Sequence, residues 1–449
     1  MLKPFLQALR ADEARGLLRR FKHLETEEVS LDDALFRVVA DPVKAGEDWP
    51  AFDRSTMDGF AVRSVDTFGA TETMPGLFTV VGEVAMGEIP NIKLKRGEAV
   101  RIWTGGALPS NADAVVMVEH AEEVGSNTIE ILKAAAPFDN VVRKGEDFKR
   151  GETLMGAGHR LRAQDVGLLA AMGRPMIRVY LKPSVAVVSS GDEIVPMEED
   201  PPPGCVRDVN RHTLAASIRE AHASPVWIGI APDKLGQITS LIEQGLRRGD
   251  IVLISGGSSM GSRDLVIEAI ESFDDSEILL HGVAVSPGKP LILARIGHRP
   301  IVGLPGHPVS AMVCFEQFVV PLIRRLEGED VTHPFLRPSI HAILSRNVPS
   351  KEGRLDFIRV RLQKTGDGVI AVPVPGKSGV ISAMVRAHGC VRIEADCEGL
   401  YKGDEVIVNL FADWIEESLE KKHLPRHEAP RRGAGDIFGP SQQEKLSTV

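Results

Sequence analysis

Between Asp250 and Asp264 an apolar run, Ile251 to Ile254, passes directly into Ser255, Gly256, Gly257, Ser258, Ser259, Met260 and Gly261, and then into a helical pattern. A Gly/Ser loop between a strand's carboxyl end and a helix start lets backbone N–H groups wrap an oxyanion, with the helix dipole adding to their pull. Gly256, Gly257, Ser258 and Gly261 are therefore candidate substrate-binding positions. A lone Gly-Gly pair is often only a tight turn between strand and helix; the unbroken Gly/Ser run and Gly261 beyond it favour a ligand.

Ser189, Ser190, Gly191, Asp192 and Glu193 follow a second apolar run, Ser184 to Val188. Two acids beside a Gly turn suit Mg²⁺ or ribose hydroxyls, although taken alone they fit better an exposed turn whose acids cap a helix. Pro287, Gly288, Lys289 and Pro290 hold one Lys between prolines that fix the backbone, which suits a point-charge contact to an oxyanion. Gly303 to Pro308, with Pro305 inside it, opens a long helical pattern and is another helix N-terminus, or simply a helix start shaped by Pro and Gly. Loops of this kind in one α/β pattern converge at the carboxyl ends of its strands, where such sheets bind ligands. Glu193, Asp233, Asp250 and Asp264 beside them point to a divalent metal screening a phosphorylated substrate.

The elements that must position these loops are strands and helices in alternation. Ser184 to Val188, Val226 to Ile230 and Ile251 to Ile254 are strand patterns; Leu214 to Ala221, Leu235 to Leu246 and Leu265 to Ile270 are helical. Apolar strands between amphipathic helices mark a doubly wound parallel sheet, closed by a helix from Pro308 to about Leu326. Upstream, residues 1 to about 48 carry helical spacing, with Ser30 as a cap, and the stretch from Asp53 to about Glu146 breaks into short strands. Gly158 to Met172 is helical and leads into a basic connector, Arg174 to Lys182. After Pro338 the pattern holds only short strands, Ser339 to Leu344, Phe357 to Leu362, Val369 to Val374, Val391 to Ala395 and Val406 to Leu410, for which a small antiparallel barrel is the economical fold.

Composition narrows the function classes. A chain of 449 residues is expected to form about three domains. The formal net charge of -9 argues against a nucleic-acid partner, which needs a basic face. Cys205, Cys314, Cys390 and Cys397 show neither metal-ligand spacing nor a disulfide framework. No apolar run approaches the roughly 18 residues of a membrane span, and charges interrupt Met1 to Arg20 too often for a signal peptide, so a cytoplasmic location is expected.

Ser55 to Arg63, reading Ser-Thr-Met-Asp-Gly-Phe-Ala-Val-Arg, resembles the Ser-Ala-Met-Asp-Gly-Tyr-Ala-Val-Arg signature of MoeA proteins, the molybdopterin molybdenumtransferases that include the gephyrin E domain. Arg101 to Glu119 with Thr104-Gly105-Gly106, Gly145-Glu146-Asp147, Ser190-Gly191-Asp192-Glu193, Ser255 to Asp264, Pro287 to Pro290 and Gly303 to Ala311 follow in the family's order, so the resemblance runs from about Leu24 to Leu410.

The resemblance implies a multi-domain α/β plus β protein in four parts: an elongated lead-in domain (1–48 and 148–178), a β-rich inserted domain (49–147), an α/β domain similar to the molybdopterin adenylyltransferase fold (179–330) and a C-terminal β-barrel (331–412), with a disordered tail (413–449). It implies a homodimer with its cleft shared between subunits, adenylylated molybdopterin, molybdate or tungstate and Mg²⁺ as reactants, and AMP as a product. Contacts with molybdopterin adenylyltransferase and apo-molybdoenzymes go with that role. Carried over by position, the catalytic residues are Asp58, Thr104, Asp147, Glu193, Asp233, Asp264 and Lys289, with Glu193 and Asp264 on the metal. Substrate binding falls to Ser190, Gly191, Asp250, Gly256, Gly257, Ser258, Gly261, Ser286, Pro290, Pro305, Pro308, Arg359 and Ser378. Three departures bear on metal preference and efficiency: Ser286 replaces the first Lys of the usual Lys-Pro-Gly-Lys-Pro, His307 stands where Asn is common, and Ser258-Ser259-Met260-Gly261 replaces Val-Ser-Val-Gly.

A tungstate-loading paralogue, a scaffold that keeps the fold without turnover, and an adenylyltransferase using the α/β part alone are the competing functions. Acids and a Lys directed at one cleft favour catalysis over a scaffold. The tail is charged and then Pro/Gly-rich, with little apolar surface to bury. Truncation after Lys421 is expected to leave the melting temperature within about 2 °C of the full chain; a larger loss in scanning calorimetry shows that the tail packs.

Overall fold

The computed structural model describes residues 8–256, 260–331, 337–366 and 368–412, without the side chains of 260–264. The chain divides into two compact units, one ending at Phe335 and the other beginning at Leu336.

The first unit contains the α/β sheet. Its six strands run in the order Ser224–Ala231, Ser184–Ser190, Ile251–Gly256, Arg299–Leu304, Ile292–Ile296, Ser276–His281. The first four are parallel, so Ala231, Ser190, Gly256 and Leu304 end on one edge. The last two join antiparallel, an extension of the sheet that the sequence patterns did not reveal. Helices Val209–Glu220 and Pro308–Cys314 pack together, as do Leu235–Arg248 and Met260–Glu271. Ala186, Val188, Val252 and Ile254 are buried with Ile238, Ile242, Ala269 and Ile270 of that second pair, which is why these strands are almost uniformly apolar. The long closing helix is not continuous: a wide π-turn, Phe315–Val319, joins Pro308–Cys314 to Val320–Leu326. Pro321 cannot donate to the turn before it, and the wide turn takes up that break.

Upstream, a second six-stranded sheet has the order Ala114–Met117, Gly59–Val62, Glu98–Ile102, Gly76–Glu83, Thr128–Ile131, Ala121–Glu123. A further core draws Ala34, Val39 and Val43 from before that sheet, and Met155, Leu161, Leu169, Ile177 and Val179 from after it. The helical spacing near the start resolves into Ala11–Gly16 and two 3-10 turns, and the Ser30 hydroxyl caps the second by accepting from the Asp33 N–H at 3.3 Å. The expected basic connector is instead a strand, Met176–Tyr180, paired with Thr26–Ser30. Its alternation buries Ile177 and Val179, a period of two that the flanking basic residues obscured.

In the second unit five strands, Leu355–Thr365, Gly368–Pro373, Ser339–Leu344, Glu405–Leu410 and Gly389–Ile393, close into a barrel when the last pairs with the first. Val360, Ala371, Val391 and Val408 fill it. One seam, Ile343 opposite Ile370, is parallel, so the barrel is not wholly antiparallel as the sequence suggested.

The helix Ala163–Ala171 opens on an acid that stabilises the lead-in core. Asp165 is buried, and its carboxylate accepts from the Arg162 side chain at 2.9 Å and the Arg162 N–H at 2.8 Å, with His159 Nε2 at 3.0 Å. The Arg162 side chain, with help from His159, holds this carboxyl well below the usual carboxylate range. A depressed folded pKa contributes stability above the unfolded value and loses it as pH falls through the folded one. Asp165→Asn should therefore cost about 1 kcal/mol at pH 7, with the gap to the parent closing below about pH 4. Urea midpoints at pH 7 and pH 3 check this, and a gap that does not change with pH removes the carboxylate as its cause.

Candidate active site

The carboxyl-end edge of the α/β sheet is organised by one close approach. Ser190 and Gly256 are opposite each other in parallel register, and a Cβ on Gly256 (φ +152°) would stand 1.8 Å from the Ser190 carbonyl oxygen. Only glycine fits there. Ser190 is fully buried, and its hydroxyl donates to Asp233 Oδ1 at 3.2 Å. The Asp233 N–H donates to Asp192 Oδ1 at 3.0 Å, while the Glu193 carboxylate lies over Gly191, 2.6 Å from where a Cβ would be. Burial pushes the Asp233 carboxyl up; the Ser190 hydrogen bond opposes that shift, and the nearby Asp192 and Glu193 charges add to it. Ser190, Gly191, Glu193, Asp233 and Gly256 are thus brought together. Gly257, Ser258 and the side chain of Asp264 lie outside the described residues, while Gly261 is in the first turn of the helix Met260–Glu271.

Two residues at this edge escaped the sequence patterns. Asn210, 8% exposed, donates from Nδ2 to Ser255 Oγ at 2.7 Å and to the Gly306 carbonyl at 2.8 Å, tying the start of the Gly/Ser loop to the Pro305–Pro308 turn. Asp208 caps the same helix through the Arg211 N–H at 2.9 Å. Asn210 Oδ1, Asp208 Oδ2 and Ser189 Oγ are buried without a hydrogen-bond partner among the described residues. The cap was recoverable from an Asp ahead of a helical pattern; the Asn210 contacts reach 45 and 96 residues along the chain and leave no local trace.

Asp250, grouped with these acids by sequence, is not among them. It precedes the strand Ile251–Gly256, and its carboxylate accepts from the Ser184 N–H at 2.8 Å and the Ser184 hydroxyl at 2.7 Å, at the opposite edge of the sheet. Strand direction puts it there: a residue before a parallel strand cannot reach the carboxyl-end crevice.

In the neighbouring segment Ser286 and Pro290 are partly buried and Lys289 is exposed. Gly288, at φ +130°, lies over the buried Cys314, whose thiol donates to the Gly288 carbonyl at 3.2 Å. Pro305 is buried, and Pro308 occupies the first turn of its helix, with the exposed His307 as N-cap.

In the β-rich sheet, Asp58 sits just ahead of Gly59, where a Cβ would meet the Val116 carbonyl at 2.0 Å. Exposed Asp58 accepts from the Thr104 N–H at 2.7 Å and from the Thr104 hydroxyl at 2.8 Å, and these two bonds hold its carboxyl below the usual range. Asp147 is exposed, its N–H bonded to the Trp49 carbonyl at 3.1 Å. In the second unit Arg359 donates from Nη2 to the Gly376 carbonyl at 2.7 Å, which places it on the loop that carries Ser378, and its Nε is buried without a partner among the described residues.

Among the described residues no three acidic, His or Cys side chains gather closely enough to hold a metal ion by themselves. Mg²⁺ needs less: it keeps waters and takes one or two carboxylates together with substrate phosphates. The hard oxygen donors around Gly191, with the Asp192 and Glu193 charges adding to the burial that raises Asp233, fit such a cation. The arrangement can therefore hold a phosphorylated anion at the Gly-lined edge, with a cation between it and the acids.

Three family models match the chain: "MoeA N-terminal region (domain I and II)" at residues 9–173, "Probable molybdopterin binding domain" at 186–325 and "MoeA C-terminal region (domain IV)" at 341–411. The chain is 30% identical to a molybdopterin molybdenumtransferase of Bacillus subtilis over 407 residues, 90% of this chain and 94% of that protein. It is 36% identical to one of Nostoc over 307 residues, 68% and 70% of the two chains. A solved molybdopterin biosynthesis protein of Pyrococcus horikoshii superposes with a TM-score of 0.77 at 30% identity, covering 90% of this chain and all 100% of that one.

Thr104→Val removes the hydroxyl donor to Asp58 and keeps the backbone one. The Asp58 pKa, followed by NMR titration, should rise part of the way to the ordinary Asp value; a value that does not move means that the hydroxyl is not a donor in solution.

Proposed function

The chain belongs to the MoeA family of molybdopterin molybdenumtransferases, and from that premise we propose that it serves molybdenum cofactor biosynthesis by inserting molybdate into adenylylated molybdopterin, with Mg²⁺ required and AMP released. The observation that carries this reading is the sheet edge where Ser190, Gly191 and Gly256 meet the acids Glu193 and Asp233. An edge with that backbone and those acids suits the adenylyl phosphate of the substrate.

Glu193 and Asp264 are assigned to Mg²⁺, which when bound would neutralise charge on the phosphate link being broken. Asp233, hydrogen-bonded by Ser190, keeps negative charge beside that position. Asp58, held by Thr104, and Asp147 are assigned to the reacting face of the substrate, and Lys289 to the incoming oxyanion as a point charge. Arg359 and Ser378 are assigned to the oxyanion as further donors. No covalent intermediate is required.

Asp58 and Thr104 bond to each other, and among the described residues neither bonds to the α/β loops. We propose that a second copy of the chain supplies the complementary half of the site. Light scattering should give twice the chain mass, and a monomer that still releases AMP removes the shared site.

The decisive assay mixes the protein with adenylylated molybdopterin, Mg²⁺ and either molybdate or tungstate and follows AMP; no release with either oxyanion rejects the transferase reading. Lys289→Ala should raise the oxyanion concentration for half-maximal turnover, with a rate loss on the order of a hundredfold if the contact tightens in the transition state. Ser286→Lys adds a charge three positions away and should shift the titration in the opposite direction. If neither variant moves it, the segment does not touch the oxyanion.

A further inference from the structure

Trp103 precedes Thr104, the partner of Asp58, and is 36% exposed, a large apolar ring partly left in water. It is also pinned. Its indole N–H donates to Glu83 Oε1 at 2.8 Å, and the Arg101 guanidinium lies 5.2 Å from the ring centroid. Arg101 does not need Trp103 for cover: it is paired with Glu123 at 2.8 Å and also lies 5.8 Å from the Phe60 ring. Two further exposed apolar side chains come from neighbouring positions. Met57, 44% exposed, precedes Asp58, and the 63% exposed Met86 extends its methyl to 4.0 Å from where a Cβ on Gly105 would be.

An exposed indole held by Glu83, adjoining Thr104 in the chain, with Met57 preceding Asp58 and Met86 at Gly105, has the make-up of a small-molecule site, in which apolar surface binds and a few polar groups orient. Indole is electron-rich, and accepting the N–H into a carboxylate makes it more so, which favours stacking on an electron-poor planar ring. We infer that Trp103 is a stacking platform for a planar heteroaromatic ring of the substrate, and that it positions that ring against Asp58 and Thr104. This rests on the transferase reading, whose substrate carries two such rings, a pterin and an adenine.

The test is calorimetric titration of the full chain with AMP and, separately, with pterin-6-carboxylate, for the parent, Trp103→Leu and Trp103→Phe. The parent should bind at least one probe. Trp103→Leu should weaken that probe by about tenfold, the loss expected when one stacked base leaves an aromatic side chain; Trp103→Phe should stay within about threefold of the parent. The probe affected tells which ring stacks. The inference is overturned if the parent binds neither probe, if the Leu variant binds both as the parent does, or if Phe is as damaging as Leu. A change of mass in light scattering for either variant also overturns it, since Trp103 then works between protein surfaces. The AMP-release assay on the parent separates the two failures: a parent that turns over while Trp103→Leu binds normally sinks the stacking role alone.

Discussion

The backbones of Ser190 and Gly256 lie so close that a single added carbon would reach 1.8 Å from a carbonyl oxygen, and the polar edge of the α/β sheet depends on that approach. Parallel pairing of Ser184–Ser190 with Ile251–Gly256 carries both chains to the same height before they turn. Because no side chain separates them, the loop carrying Asp192 and Glu193 starts beside the one that begins at Gly256. The buried strands below, packed on helices from both faces, keep that spacing from relaxing. Asn210 extends the same constraint to the turn before Pro308, so three loops from distant parts of the chain share one rigid base.

Charge is handled locally in a chain of net charge -9. At the sheet edge acids accumulate until burial and mutual repulsion raise Asp233, a condition that a cation or a donor-rich ligand would relieve. Elsewhere the excess is neutralised by the protein itself. Arg160 pairs with both Glu327 and Glu329 where the lead-in packs on the end of the closing helix, and burial still pushes the Glu327 carboxyl up to about 7 against the pull of Arg160. A buried pair of this kind contributes less to net stability than to register, because desolvation offsets most of its attraction. Asp58 is the opposite case, an exposed acid kept ionised by the donors of Thr104.

The helices of the α/β part and three of its six strands, Ser184–Ser190, Ser224–Ala231 and Ile251–Gly256, were legible because those strands are apolar runs and the helices amphipathic, so period separates them. The antiparallel extension, Ile292–Ile296 with Ser276–His281, was not legible, and neither was the parallel strand Arg299–Leu304, because Arg295, Gly297, Arg299 and Pro300 interrupt the apolar runs between them. Met176–Tyr180 was hidden for the complementary reason: its outward Arg178, with Arg174 and Lys182 flanking it, made the segment resemble a basic linker. Of the candidate site residues, Ser190, Gly191, Glu193, Asp233 and Gly256 do meet, and Asp250 does not, because strand direction puts it at the far edge.

From the sequence alone came the family, much of the strand-to-helix alternation and the Gly turns at Gly191 and Gly288, because ordered motifs and residue period are local properties that survive without coordinates. Tertiary structure alone decided which acids share an edge, that Asn210 joins two loops, that Thr104 holds Asp58, and that Trp103 stays exposed while pinned by Glu83. Each of these is a contact between residues 20 or more positions apart, between 20 for Trp103 and Glu83 and 96 for Asn210 and Gly306. Such contacts depend on strand register and loop closure, which no local pattern encodes.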